Sequence, residues 1–439
     1  MSLHVGVFGH YGNGNLGDEA ITEACVDSAR RLLGADRVTL FSIVPGDSAA
    51  RHNLDAYPIR RSAKPASAGT PWHRPAPAAT ATAVSAQPPP EGGIKGLLKR
   101  SKLLRAGVNL ARSAVSAPGR FAAERQFLAA SEKVLADVDL IIVAGSNQYL
   151  DNFGGTWGFP YTLMKWANLC KKTNTSLVFL SIGAGPIDKP LSRFMVRKAI
   201  KQSLFHSYRD PGSLRLIEGQ EARLGGVVYP DLACNLQFAA EAIDYETDAL
   251  RIAINPMPVY GDYWFTTDKV KYEAYLTKLA KLAIHTHGRG CEVILFPTQT
   301  RDLDAANDLV EITRRHSPIV ADALQVIDTN SSQDVMRVIQ SAHVIVPTRF
   351  HGTILGILAK RLVLSVCYQA KAREAMVAAG QSDYALMLDE MTADQLCAAY
   401  DKLIDARAVE LAKVSARSEE VRTSIDAQYD IVRERLPAR

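Results

Sequence analysis

The stretch Thr348-Arg349-Phe350-His351-Gly352-Thr353 is the part of this chain best supplied for chemistry. It follows the apolar run HVIVP and precedes TILGILAKR, so it reads as a strand-to-helix corner facing a cleft. Arg349 offers a planar fork of donors suited to a carboxylate or phosphate. His351, two residues on, exchanges protons near neutral pH. A histidine alone in a loop is more often structural, and the neighbouring arginine is what singles this one out. Lys371, in VLSVCYQAK, follows the next strand and reaches the same rim. Arg209, in Ser207-Tyr208-Arg209-Asp210, ends a strand of the first half. Converging on one cleft, the three cations suit a small polyanion; dispersed, they are ordinary solvated charges.

A second candidate is the loop from Gly9 to Glu19, GHYGNGNLGDE, which follows the first strand and opens the first helix. Its four glycines permit positive φ and close approach of a ligand to the backbone. The match to a dinucleotide fingerprint is poor. Asp18 reads as the helix N-cap and Glu19 as a first-turn residue, so carboxylates already occupy the positive end of that helix. A pyrophosphate is therefore not expected there. Contact of Gly12 and Asn15 with a neutral group such as a sugar hydroxyl fits better, the alternative being a tight turn with an acidic cap. Asp18 or His10 is the candidate acceptor for a hydroxyl proton.

These loops need a scaffold, and the chain supplies an α/β one. Buried-strand runs at 4–9, 38–44, 139–145, 177–183 and 204–209 alternate with helical periodicity, as at 19–34 and 193–203. After about residue 246 the pattern restarts, with strands at 251–255, 291–297, 325–328, 343–348 and 362–367 and helices at 271–288 and 332–342. The organisation expected is an N-terminal domain over 1–246, a C-terminal domain over 247–392 and a helical tail over 393–439. Two such domains leave a cleft between them, the usual place for a substrate.

Residues 61–120 fit neither domain. Seven prolines and nine alanines in 63–90 read as an extended linker. The segment 94–115 is basic and partly amphipathic, either a solvated helix or a peripheral contact with an anionic membrane. Ten basic residues and one acidic residue put +9 in 61–120, leaving −4 for the rest of a chain whose net charge is +5. The excess is too local to argue nucleic-acid binding. The six cysteines are scattered, with no pairing at zinc spacing, so neither a metal site nor a disulfide framework is expected. No run of apolar residues is long enough to span a bilayer, and no secretory signal is recognised. A cytoplasmic protein, in part peripheral at the inner face of the cell membrane, is the expectation.

GHYGNGNLGDEA, SYRD with YPDLA downstream, and TRFHGTILGILAKRLVLSVCYQAK resemble the polysaccharide pyruvyl transferase family. The likeness covers both α/β domains but not the 61–120 insertion, and RFHG is its most specific part. It implies two Rossmann-like domains in a GT-B-like arrangement. The activity it implies is transfer of the pyruvyl group of phosphoenolpyruvate, a co-substrate rather than a cofactor, to a sugar of a cell-surface or lipid-linked polysaccharide. It further implies that His351, Arg349, Lys371 and Arg209 contact the donor. Ketal formation needs a proton delivered to the vinyl carbon, which suits His351 as general acid, with Asp18 as the candidate acceptor of the hydroxyl proton. AGSNQYLD at 144–151 departs from the run of glycines in many relatives and places Asn147 on the acceptor side. Two other readings stay open: a GT-B nucleotide-sugar glycosyltransferase and a catalytically idle carbohydrate-binding relative.

Overall fold

The computed structural model describes residues 2–61, 119 and 121–437, apart from residues 13, 220–222, 240, 248, 263 and 265. The Pro/Ala-rich stretch and the basic 94–115 segment lie outside the described residues. Short runs of Val, Ile, Leu and Phe, covered on both faces, build two parallel sheets.

The first sheet contains β1 (Leu3–Phe8), β2 (Ala35–Ser42), β3 (Ala56–Pro58), β4 (Leu140–Ala144), β5 (Asn147–Tyr149), β6 (Ser176–Ala184), β7 (Phe205–Tyr208) and β8 (Val227–Val228). Its order is β3-β2-β1-β4-β6-β7-β8, with β5 beside β6. Every position of β1 is buried, and Val5 stands opposite Val38 on one side and Leu140 on the other. The chain thus runs outward from β1 to β3 and returns to start β4 on the far side of β1. The crevice at the carboxyl ends of β1 and β4 is the switch point of a doubly wound sheet, where such sheets bind ligands. The connecting helices are α1 (Leu16–Leu33), α2 (Pro45–His52), α3 (121–135), α4 (Phe159–Thr173), α5 (Pro190–Ile200) and α6 (Pro211–Glu218).

The second sheet has the order β11-β10-β9-β12-β13. Its strands are β9 (Arg251–Asn255), β10 (Glu292–Leu295), β11 (Gln325–Val326), β12 (Val344–Pro347) and β13 (Leu362–Val363). Around it lie α7 (Lys269–His287), α8 (Asp302–His316), α9 (Pro318–Ala323), α10 (Ser332–Ser341), α11 (Phe350–Leu358) and α12 (Ala370–Ala378). The single strand expected over 362–367 divides in two. β12 ends at Pro347, which has no N–H to extend the ladder. Beyond Leu364 the chain becomes β14 (Ser365–Cys367) and pairs with β15 (Ala385–Met387) instead.

Two helices close the chain, α13 (Ala393–Asp405) and α14 (Arg407–Arg435). α13 packs on α7, whereas α14 lies against both α1 and α11. The buried stripe of α14 is Val414, Val421, Ile425, Tyr429 and Val432. The Tyr429 hydroxyl meets Cys25 Sγ of α1 (3.4 Å), and Ser418 Oγ donates to the Leu358 carbonyl of α11 (3.0 Å). One helix therefore laces the two sheets' layers together. Among the described residues no helix is long and apolar enough to cross a membrane.

Candidate functional site

His351 lies in the first turn of α11, directly after the buried strand β12. Its ring rests on the backbone of Gly17 in α1. A Cβ at Gly17 would stand 2.0 Å from His351 Nδ1, so a side chain there would displace the imidazole. His351 Nε2 is buried and has no hydrogen-bond partner among the described residues. Burial pushes its pKa below the ordinary imidazole value, and the charges of Arg209 and Lys371 push the same way; Asp231 and Asp18 pull it back up.

Asp18 sits one residue beyond that contact and is almost fully buried. It is not the helix cap. α1 begins at Leu16, and its N-cap is Asn15, whose side chain accepts from the Gly17 amide (3.2 Å) and donates to Asp18 Oδ2 (2.8 Å). Asparagine wins the position because it bonds both to the helix backbone and to the following carboxylate. Burial alone would raise the Asp18 carboxyl. The nearby His10 (3.8 Å), His351 and Ser146 outweigh it and hold the group below the usual carboxylate value. Gly12 shapes this loop from inside: at φ +81° it approaches the Val44 carbonyl, and its amide donates to Glu19 (2.9 Å), which also holds His52 (2.7 Å). The loop is pinned to the second sheet's layer as well, because the Leu16 amide donates to the Thr298 carbonyl (3.1 Å) and Asn15 bridges to Gln299.

The three expected cations do meet, but two of them are already neutralised. Arg209, past the end of β7, donates to Asp231 (3.0 Å) and to Asn147 Oδ1 (2.6 Å). Arg349 forks onto the fully buried Asp302, which also accepts from the Thr298 amide and hydroxyl. Carboxylates from elsewhere in the chain accompany the two guanidiniums into the interior, partners that the sequence reading did not assign. Lys371, in the first turn of α12, forms no ion pair among the described residues. Burial, with the charges of Arg209 and Arg349, lowers its pKa to about 8 against the opposing pull of Asp18 and Asp231. Phe350 lies between the two units, with the Arg209 guanidinium 4.9 Å and the Lys371 ammonium 5.4 Å from its ring centre. Among the described residues no side chain caps the N-terminus of α11 or of α12, so their first-turn amides add to the positive potential here.

The family model for polysaccharide pyruvyl transferase matches residues 15–366, most of the chain, with His351, Arg349, Arg209 and Asp18 inside the match and Lys371 just beyond its end. The chain belongs to the polysaccharide pyruvyl transferase family. No curated protein sequence matches it. Solved structures share its fold at low identity. A UDP-GlcNAc 2-epimerase from Neisseria meningitidis bound to UDP-GlcNAc is 10% identical, with a TM-score of 0.54 over 99% of each chain. HepE from Anabaena in complex with UDP-glucose is 11% identical, with a TM-score of 0.51 over 98% of this chain and 99% of its own. A UDP-GlcNAc 2-epimerase from Methanocaldococcus jannaschii is 11% identical, with a TM-score of 0.50 over 91% of this chain and 92% of its own. The GT-B-like architecture expected from the motifs is thus the one present.

In this pyruvyl transferase family member the AGSNQ stretch supports two members of the cluster. Ser146, at φ +57°, contacts Asp18, and Asn147 orients Arg209. Asn147 Oδ1 thereby ties this stretch to the Arg209 side of the cluster. A cavity of about 400 Å³ opens beside Phe350. Arg209, Asp231 and Lys371 line it together with the apolar side chains of Ile354, Ile357, Leu358, Ala378 and Val421. Asp231 and Asp302 are the site residues that sequence reasoning did not assign. YPDLA carried Asp231 in plain view; nothing marked Asp302. No cluster of His, Cys, Asp and Glu that could hold a metal occurs among the described residues.

Proposed function

We propose that this protein transfers the pyruvyl group of phosphoenolpyruvate to a pair of hydroxyls on a saccharide, free or lipid-linked, as a ketal. The observation that carries the reading is the meeting of Lys371, Arg209 and His351 around Phe350, beside two uncapped helix N-termini. Lys371 is the cation left over for the donor's phosphate or carboxylate, and the Asp302-anchored Arg349 fork borders the same corner. His351 delivers a proton to the vinyl carbon as a sugar hydroxyl oxygen bonds to C2, and the proton of that hydroxyl passes back to the imidazole, which is thereby reloaded. Phosphate then leaves from C2, and a second hydroxyl closes the ring, its proton departing with phosphate. A neutral histidine cannot donate that proton. The negative charge of bound donor, added to Asp18 and Asp231, raises the imidazole pKa and loads it. Asp18, held ionised, is better suited to stabilising the imidazolium than to taking a hydroxyl proton. General acid catalysis of this kind is worth on the order of 10²–10⁴-fold. The acceptor places the protein at the inner face of the cell membrane whenever the saccharide is lipid-linked.

Calorimetric titration tests the donor. Phosphoenolpyruvate binds, taking up a proton that His351→Ala abolishes, and Lys371→Met weakens binding by about tenfold or more. Tight binding of UDP-sugar with indifference to phosphoenolpyruvate would instead support a nucleotide-sugar enzyme, the reading that the UDP-bound fold neighbours favour.

A further inference from the structure

The outer side of α5 carries a patch that the donor site does not use. From Lys189 to Ser203 the chain has five basic residues and no acidic one. Arg193, Arg197, Lys198 and Lys201, with Pro190 and Phe194, line an open groove along the helix. None of those four cations is ion-paired among the described residues. Arg193 and Arg197 are held by their Nε atoms on the Ile187 and Ile217 carbonyls (2.7 Å each), which fixes the guanidiniums at the surface.

Large apolar side chains stand exposed beside these charges. Phe194 is 59% exposed and Leu191 48% on α5, and Trp157 is 69% and Phe153 53% exposed on the neighbouring loop. The turn Gly155–Trp157 is tied to α5 by the hydroxyls of Thr156 and Ser192 (2.9 Å). Two aromatics, a phenylalanine on a helix and a leucine, in water beside unpaired cations are what a bilayer interface takes up. The rings and the leucine enter the headgroup layer while lysine and arginine meet anionic phosphates. A soluble acidic glycan would satisfy the cations but leave Leu191 and Phe194 wet. The Gly155–Trp157 turn and the start of α5 follow the carboxyl ends of β5 and β6, the rim on which Arg209 stands past the end of β7.

We propose that α5 and the Gly155–Trp157 turn form a docking face for an anionic lipid surface, holding the candidate site at the membrane. Only the purpose of the docking rests on the pyruvyl transfer reading; the docking itself does not. The test is co-sedimentation of the full chain with phosphatidylcholine vesicles, with and without about one-third phosphatidylglycerol. The chain sediments with the anionic vesicles only. Lys198→Glu/Lys201→Glu lowers partitioning by about tenfold or more, and Trp157→Ala/Phe194→Ala lowers it comparably, at unchanged melting temperature. Removing residues 62–118 leaves a measurable part of the binding in place. Equal sedimentation with neutral vesicles, no sedimentation, or both double variants behaving as wild type would overturn the proposal. So would complete loss of binding on removing 62–118, or charge reversal that abolishes retention on a soluble acidic glycan but spares vesicles. Turnover with a soluble acceptor is measured separately on each variant, so a failed docking face and a failed enzymatic reading give different results.

Discussion

Lys371 is a buried ammonium whose pKa of about 8 makes it a working cation at neutral pH and a vanishing one just above it. If it grips the donor, KM for phosphoenolpyruvate rises as pH passes about 8, and Lys371→Arg moves that limb to higher pH; a flat profile to pH 9 would remove Lys371 from the site. The same residue burdens the fold. A lowered lysine pKa penalises the folded protonated form, fully below about 8 and progressively less as pH climbs toward the ordinary 10.5. Lys371→Met should accordingly raise unfolding free energy at pH 7 by about 1–3 kcal/mol in denaturant titration, a gain that fades at high pH. Stability given up for a charge is a mark of a working site. At this scale His351, Arg209 and Lys371 were legible because reactive residue types stood at strand ends. Asp302 was not: it stands 47 residues before Arg349, and only folding pairs them. Asp231 and Arg209 are likewise a contact that no local pattern encodes.

Elements set the distances on which that chemistry depends. α1 and α11 belong to different sheets' layers, yet they meet where Gly17 touches His351. Gly17→Ala therefore pushes the imidazole off its position. Its turnover should fall by about 10²-fold with little change in melting temperature. α14 holds the same two helices from behind. Ile425→Ala, at its fully buried centre, should cost about 2–5 kcal/mol in denaturant unfolding, with the midpoint falling and no separate transition for either half. The central strands were readable, since covered parallel strands are continuous apolar runs, whereas the two- and three-residue strands β3, β5, β8 and β15 are too short to show a pattern. Element ends were also less legible. The start of α1 was misplaced because Asp18 and Asn15 are both good caps, and the choice between them turns on which one the helix backbone reaches. The break at Leu364 depended on Pro347, in a strand that is a neighbour only in space.

For the whole molecule, the net charge of +5 divides into a basic insertion of +9 and a body of −4. Within that body the cations are distributed unevenly: the candidate site holds two arginines against carboxylates beside Lys371, whereas those of the α5 groove have no ion pair among the described residues. The sequence motifs announced the GT-B-like pair of sheets and the family, because both live in strand order and in short loop signatures. The α5 face escaped notice because amphipathic periodicity reports which side of a helix is buried, not that large apolar residues remain on the other. The central claim is that the cluster around Phe350 makes a pyruvyl ketal. It is tested most directly by incubating the protein with phosphoenolpyruvate and a panel of glycans, and weighing the products by mass spectrometry. The predicted result is a glycan heavier by one pyruvyl ketal, formed in step with released phosphate and lost in His351→Ala. Undiminished product from His351→Ala, or no ketal with any glycan while a UDP-sugar is consumed, would contradict it.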